Sequence, residues 1–294
     1  MKPPSFEFHD PRTLDEALSL LNQYGAEAKI LAGGQSLMPL MNLRLARPQV
    51  LIDINRLAEL SYMKPGNGAG LVIGALTRQR LVERSGLVQE RNPLLAATIP
   101  LIGHQQIRNR GTIGGSLVHA DPAAELPALA LLLEAEFVLR SLRGERVAQA
   151  RNFYLSYMTT TIEPTEVLTE ARFPPWQPRA GWAIQEISRR HGDFAMVGVA
   201  TLLTLDGSKA CADARIALFG VGATAARIEK AEAALKGTPL QRRHLAEAAS
   251  IVSEAVDPDS DVHASAAYRK EVAGVLTRRA LEAALQRLTE ANAS

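Results

Sequence analysis

The stretch AGGQSLMPLMNLRLARP, residues 32–48, follows directly on the apolar run Lys29-Ile30-Leu31. Adjacent glycines at the end of a strand, here Gly33 and Gly34, permit positive φ and leave the amides unobstructed by Cβ. Successive N–H groups presented in this way form a concavity that accepts an anion, and Ser36 adds a hydroxyl. Taken alone, the same pair fits a plain turn at the end of a strand. The chemistry recurs in RNRGTIGGSLVHADPAAE, residues 108–125, where Gly111-Thr112-Ile113-Gly114-Gly115-Ser116 again runs from a double glycine into serine. Two such loops can grip a diphosphate from both sides through backbone donors. Neither holds a lysine, and no G-x-x-x-x-G-K-[ST] pattern occurs. A nucleotide that is hydrolysed needs Lys and Mg²⁺ near its phosphates, so the loops suit a dinucleotide that stays bound. On this reading a Val at Gly33 or Gly114 blocks backbone approach to the phosphates and leaves far-UV dichroism near normal.

Outward from the first loop, strands are expected at residues 29–32 and 50–54. A helix is expected after Thr13, which has capping-box spacing to Glu16 and precedes the apolar face Leu14, Ala17, Leu18 and Leu21. Residues 71–76 read as a strand leading into a helix capped by Thr77. Helix resumes near Leu94 and again over 124–133, and 137–142 reads as strand. Pro174-Pro175-Trp176-Gln177-Pro178 is the linker, because prolines at that density disfavour helix and paired strand alike. Beyond it come three strands, 182–188, 195–205 and 215–219. Helices follow over 225–236, stopped by Gly237, then 242–256 and 264–288. Strands followed by helices indicate a separate α+β unit.

Composition narrows the function classes. The 294 residues suggest about two domains. Lys plus Arg is 33 against 31 for Asp plus Glu, a net charge of +2, which gives no electrostatic footprint for nucleic acid. The longest apolar run, residues 126–133, is far short of the ~20 residues of a membrane span. No apolar segment follows the first residues as a signal peptide would, so a cytoplasmic protein is expected. The single cysteine, Cys211, cannot by itself ligate an iron–sulfur cluster or close an internal disulfide. None of the six histidines shows a zinc spacing. His104 and His119 flank the second loop, where either could touch a ligand, although such histidines are more often surface or hydrogen-bonded ones. Arg108-Asn109-Arg110 reads as a phosphate aid or as a solvated turn. The acidic group from Asp121 to Glu125 reads as helix capping or as an acceptor for a ribose or ribityl hydroxyl. Gly220-Val221-Gly222-Ala223-Thr224-Ala225 matches G-x-G-x-x-A. The acidic residue that should end a second strand about 20 residues on falls in a helical stretch, so a structural turn is expected there.

The two glycine stretches, with the FPP linker and SRRHGDFAMVGVA at residues 188–200, resemble the flavoprotein (medium) subunits of molybdenum hydroxylases. Carbon monoxide, nicotine, caffeine and xanthine dehydrogenases belong to that family. The likeness covers almost the whole chain, with both motifs in order, spacing and flanks. It implies an α+β fold: a two-subdomain FAD-binding domain of the vanillyl-alcohol-oxidase type over 1–57 and 58–176, then a C-terminal α+β domain of the carbon monoxide dehydrogenase flavoprotein kind, a three-stranded sheet with helices, over 180–290. It implies FAD contacts from Lys29, Ile30, Leu31, Ala32, Gly33, Gly34, Gln35, Ser36 and Leu37, then from Ile102, Gly103 and Ile107, and from Gly111, Thr112, Gly114, Gly115 and Ser116. Glu125 stands at the family's acidic position, Leu168 at an apolar position near the flavin ring, and Phe194 at an aromatic that covers the isoalloxazine. Gln185 stands where xanthine dehydrogenases place a lysine near the ring edge.

The resemblance further implies a large molybdopterin-binding subunit, where substrate is hydroxylated with a water-derived oxygen. It implies a small subunit with two [2Fe–2S] clusters, and assembly as a dimer of heterotrimers. This chain would then carry no acid, base or nucleophile for the hydroxylation, and its work would be to pass electrons through FAD to an acceptor. The alternatives are a stand-alone FAD-dependent oxidoreductase of the same fold, for which no catalytic groups beside the ring are evident, and a NAD-linked dehydrogenase using Gly220 and Gly222. An assembly subunit without flavin is a further alternative, and the intact glycines in both loops argue against it.

Overall fold

Thr13 begins the first helix as its spacing requires. It is extended at φ −129°, and its hydroxyl accepts from the Glu16 amide at 3.2 Å. The helix Leu14–Tyr24 buries Leu14, Ala17, Leu18 and Leu21 against a small parallel sheet in the order Glu7–His9, Val50–Asp53, Ala28–Leu31. The computed structural model describes residues 2–293.

A second, antiparallel sheet runs Met63–Pro65, Leu71–Gly74, Val167–Phe173, Glu136–Ser141, Gly144–Gln149. Its core is shared with the helix Glu125–Leu132, every residue of which is buried. That helix can be apolar all round because the second sheet lies on one side and a third on the other. The third sheet is antiparallel: Gly181–Ile187, Val197–Leu205, Cys211–Phe219 and Ala226–Arg227. The long helix Ala266–Ala293 and the helix Arg242–Ala255 cover its other face. Cys211 is buried in that core, and burial pushes its thiol up to about 11. Residues 174–178 form neither helix nor strand. Among the described residues no helix is long and apolar enough to cross a membrane.

Several boundaries differ from expectation for identifiable reasons. Thr77 does not cap the next helix. Its hydroxyl donates to Tyr62 O at 2.9 Å and its amide to Gly74 O at 3.0 Å, so the extended Arg78 is the residue that precedes Gln79–Glu83. The helix expected over 225–236 begins only at Glu229. Ala226–Arg227 pairs with Leu218 and Ala217 and extends the expected three-stranded sheet to four strands. Glu232 fixes that detour by accepting from Ile216 N at 2.9 Å and from Arg227 at 2.8 Å. Gly237 does follow the helix with φ +75°. The last helix starts at Ala266 because Asp261 first accepts from the amides of His263 and Ala264, at 2.8 and 2.9 Å, and from Arg269 at 2.7 Å.

Candidate functional site

The strand Ala28–Leu31 runs into the first glycine loop, and the helix Leu37–Asn42 follows it. Gly34 takes φ +73°, a conformation that favours glycine. Among the described residues, the amides of Gly33, Gly34, Gln35 and Ser36 donate to no protein acceptor. Unpaired backbone donors in succession suit an anion.

The second loop is built differently. Its amides at Gly111, Ile113, Gly114 and Ser116 donate to Ile107 O (2.7 Å), Thr77 O (3.0 Å), Ala75 O (2.8 Å) and Thr112 O (3.2 Å). The Gly115 amide donates to Thr112 Oγ1 at 3.0 Å, the N-cap of the helix Ile113–His119. Only Thr112 keeps its amide free within this loop, among the described residues. The expected two-sided clamp of backbone donors is therefore one-sided. The first loop supplies N–H groups, and the second offers one amide and the hydroxyls of Thr112 and Ser116.

The glycines also have a different reason from the one the sequence suggested. A Cβ on Gly33 would lie 2.5 Å from Arg110 O and 2.9 Å from Gly111 Cα, so the two loops touch backbone to backbone. A Cβ on Gly114 would lie 2.5 Å from Ala75 Cβ, on Gly111 2.6 Å from Gln79 Oε1, and on Gly115 2.6 Å from Thr112 Oγ1. These glycines permit loop–loop and loop–strand contact. The expectation that Val at Gly114 spares the fold does not stand, because the added atoms meet a buried strand end.

Two side chains outside the sequence motifs join the loops. Asn55 donates through Nδ2 to Ala32 O at 2.7 Å, and its Oδ1 accepts from Arg78 Nη2 at 2.5 Å. Arg78 Nη1 donates to Arg110 O. Burial, and then the neighbouring Arg110 cation, hold the Arg78 pKa below its ordinary value.

Arg108, read as part of a phosphate aid or solvated turn, is 8% exposed. It donates to Ile102 O at 3.1 Å and Gly103 O at 2.9 Å and pairs with Glu83 at 3.0 Å. Its work is to pin the turn where Gly103 takes φ +52°. Ile107 on the following helix Gln105–Arg110 is exposed. His104, also exposed, lies 6.4 Å from the His191 ring, centroid to centroid. His119 is half-buried, and burial lowers its pKa, which favours the neutral imidazole.

Glu125, 7% exposed, heads its helix. Burial raises its pKa to about 8, with Glu186 and Asp121 adding to the effect. Burial thus favours the protonated acid near neutral pH, and in that form the carboxyl can donate as well as accept. Glu186, from the third sheet, is raised to about 7 by burial, and its Oε2 is buried without a partner. Leu168 is enclosed in the second core, 4% exposed. Phe194 stands 65% exposed ahead of Val197–Leu205. Gln185 is half-buried beside Glu186, and Lys29 is exposed on its strand.

Gly220 has φ +74°, yet its amide donates to Pro122 O at 2.8 Å and its carbonyl accepts from Arg269 at 3.0 Å. The strand before it is antiparallel to both neighbours. The βαβ context of a dinucleotide fingerprint is absent, and the turn ties the third sheet to the segment leading into Glu125.

Known proteins match this arrangement along its whole length. Residues 4–176 match the model of the FAD binding domain in molybdopterin dehydrogenase, and 182–284 match that of the CO dehydrogenase flavoprotein C-terminal domain. The 6-hydroxypseudooxynicotine dehydrogenase complex subunit alpha of Paenarthrobacter nicotinovorans is 42% identical over 98% of this chain and 97% of its own. The carbon monoxide dehydrogenase medium chain of Hydrogenophaga pseudoflava is 41% identical over 98% and 99%. A solved structure of carbon monoxide dehydrogenase from that organism superposes with a TM-score of 0.94, covering 98% of this chain and 99% of the matched one. With both of its domains matched, and the glycine loops inside the first, the chain belongs to the family of FAD-binding flavoprotein subunits of molybdopterin dehydrogenases.

Proposed function

We propose that this chain is the FAD-carrying electron-transfer subunit of a heterotrimeric molybdenum hydroxylase. In this reading a large subunit holds molybdopterin and a small subunit holds two [2Fe–2S] clusters. Electrons pass from those clusters to the FAD here and on to an external acceptor, in a cytoplasmic dimer of heterotrimers. Bound FAD supplies the redox chemistry, accepting electrons and handing them on.

The observation that carries the reading is the row of free amides from Gly33 to Ser36. They form a donor set for a diphosphate that contains no lysine, and an FAD diphosphate, which is never cleaved, fits it. Lys29, Ile30, Leu31, Ala32 and Leu37 would border that diphosphate, with Thr112, Gly114, Gly115 and Ser116 across from it. The turn of Ile102, Gly103 and Ile107, held by Arg108, would border the cofactor next to Gly111. Protonated Glu125 would donate to a hydroxyl or carbonyl of the cofactor. Leu168 would give the ring an apolar floor, and Phe194 would cover it. With boundaries at 1–57, 58–176 and 180–290 the three larger sheets fall one to each unit, and the small pairing of Tyr154–Ser156 with Thr159–Thr160 falls in the second. The printed names of the relatives, a complex subunit and a medium chain, support partner subunits. The single buried cysteine supports clusters held elsewhere.

The test is to purify the full chain, record its visible spectrum, denature it and identify the released nucleotide. One FAD per chain with no turnover by the chain alone is the expected result. A colourless chain that binds NAD with micromolar affinity overturns the reading, as does intrinsic turnover of a small substrate.

A further inference from the structure

The first loop belongs to the parallel sheet and the second to the antiparallel one, and the diphosphate proposed above needs both at a fixed spacing. One continuous side-chain bridge spans them. It runs from Ala32 O to Asn55 (2.7 Å), from Asn55 to Arg78 (2.5 Å), and from Arg78 to Arg110 O. The two carbonyls occupy matching places, each immediately before the first glycine of its loop. Arg110 O is also the atom nearest the missing Cβ of Gly33, so the bridge ends at the point where the loops touch. Asp53 orients Asn55: its Oδ1 accepts from the Asn55 backbone N–H at 2.9 Å and from Asn55 Nδ2 at 2.5 Å.

The bridge does more than join. A peptide unit is planar and trans, so its C=O and N–H point in opposite directions. Holding Ala32 C=O toward Asn55 turns the Gly33 N–H the other way, into the concavity where it has no protein acceptor. The same hydrogen bond keeps a carbonyl lone pair away from the space an anion would fill.

We propose that Asn55 and Arg78 form a latch that fixes the spacing of the two glycine loops and the direction of the Gly33 amide, and thereby sets the affinity for the cofactor's diphosphate. They are positioning residues, and the proposal rests on the FAD reading above. Asn55→Asp is nearly isosteric. It keeps the bond from Arg78 but replaces the donor to Ala32 O and to Asp53 Oδ1 with an oxygen that repels both, so stability is judged on Arg78→Lys, which leaves Asp53 untouched. Arg78→Lys keeps the charge and loses the two-pronged geometry.

The test titrates FAD, and separately ADP, into the full chain stripped of flavin. Each variant is expected to bind both at least tenfold more weakly, with the unfolding midpoint of the stripped chain unchanged in Arg78→Lys. The double variant should lose no more than about twofold beyond the weaker single, because residues acting as one unit are non-additive. Variants that bind FAD and ADP within twofold of the parent overturn the latch, as does an affinity loss in Arg78→Lys matched by lost stability of the stripped chain, or additive losses. Should Asn55→Asp fail to fold, Arg78→Lys decides alone on affinity and midpoint. A parent chain that binds neither FAD nor ADP overturns the FAD reading and the latch with it, whereas a parent that binds and variants that bind equally overturn the latch alone.

Discussion

Gly33→Ala adds one methyl group at the point where the two loops meet. Its Cβ would sit 2.5 Å from Arg110 O, 2.9 Å from Gly111 Cα and 3.1 Å from Arg110 C. Comfortable contacts between such heavy atoms begin near ~3.5 Å, so the loops must part by roughly 1 Å. All three obstructing atoms are backbone, and no side chain can rotate to make room. Overpacking of this kind costs about 1–3 kcal/mol. The bridge of Asn55 and Arg78 ends at this same contact, so the added methyl pushes the first loop against it and moves the Gly33 to Ser36 amides off the diphosphate, and the cost appears in binding. At about 1.4 kcal/mol per tenfold, FAD affinity should fall roughly 5- to 150-fold. The assay is reconstitution of the stripped chain with FAD, followed by quenching of flavin fluorescence, with the unfolding midpoint of the stripped chain measured in parallel. Affinity within twofold of the parent refutes the reasoning. So does a fall in the midpoint with unchanged affinity, which would place the strain in the fold and not in the closed loops.

Glu125→Gln tests the buried acid. Its folded pKa of about 8 lies above the ordinary 4.5, so the stability it contributes is complete below about pH 4.5 and is lost as pH rises through 8. The stripped Gln variant should escape that loss and gain several degrees on the parent between pH 5 and 8, whereas parallel unfolding curves would count against the assignment. Gly222→Ala tests the G-x-G-x-x-A turn. The nearest atom to a Cβ there is Thr224 O at 3.9 Å, so the variant should keep its FAD content and its unfolding midpoint. Loss of a bound dinucleotide in this variant would revive the NAD reading.

The parts of the site that are local in sequence are legible there. Thr13 with Glu16, the paired glycines at 33–34 and 114–115, and Gly237 after a helix each state their geometry within a few residues. The strand Val167–Phe173, central to the second sheet, was missed because it alternates poorly: Thr169 and Glu170 are buried among its apolar residues. Gly144–Gln149 was missed because it is a polar strand at the sheet edge, exposed along most of its length. The bridge of Asn55 and Arg78 lies beyond sequence reading for a different reason. Its bonds join residues 23 and 32 positions apart, and nothing in a lone asparagine or arginine announces such a partner. The close approaches at Gly33 and Gly114 lie beyond sequence reading on the same ground, whereas Gly34 takes the positive φ its place suggests. A missing Cβ says that something approaches, but only the fold says that Arg110 and Ala75 are what approach.

The burial of Cys211 has a practical consequence. With its sulfur shut in the third sheet and its thiol pushed up to about 11, the native chain offers almost no thiolate to a labelling reagent at neutral pH. Any cysteine introduced on the surface is then the one fast-reacting thiol in the molecule. A single dye or spin label can be placed at will without first removing a native cysteine. Two such cysteines, one in each loop, make the distance across the loops measurable with and without nucleotide.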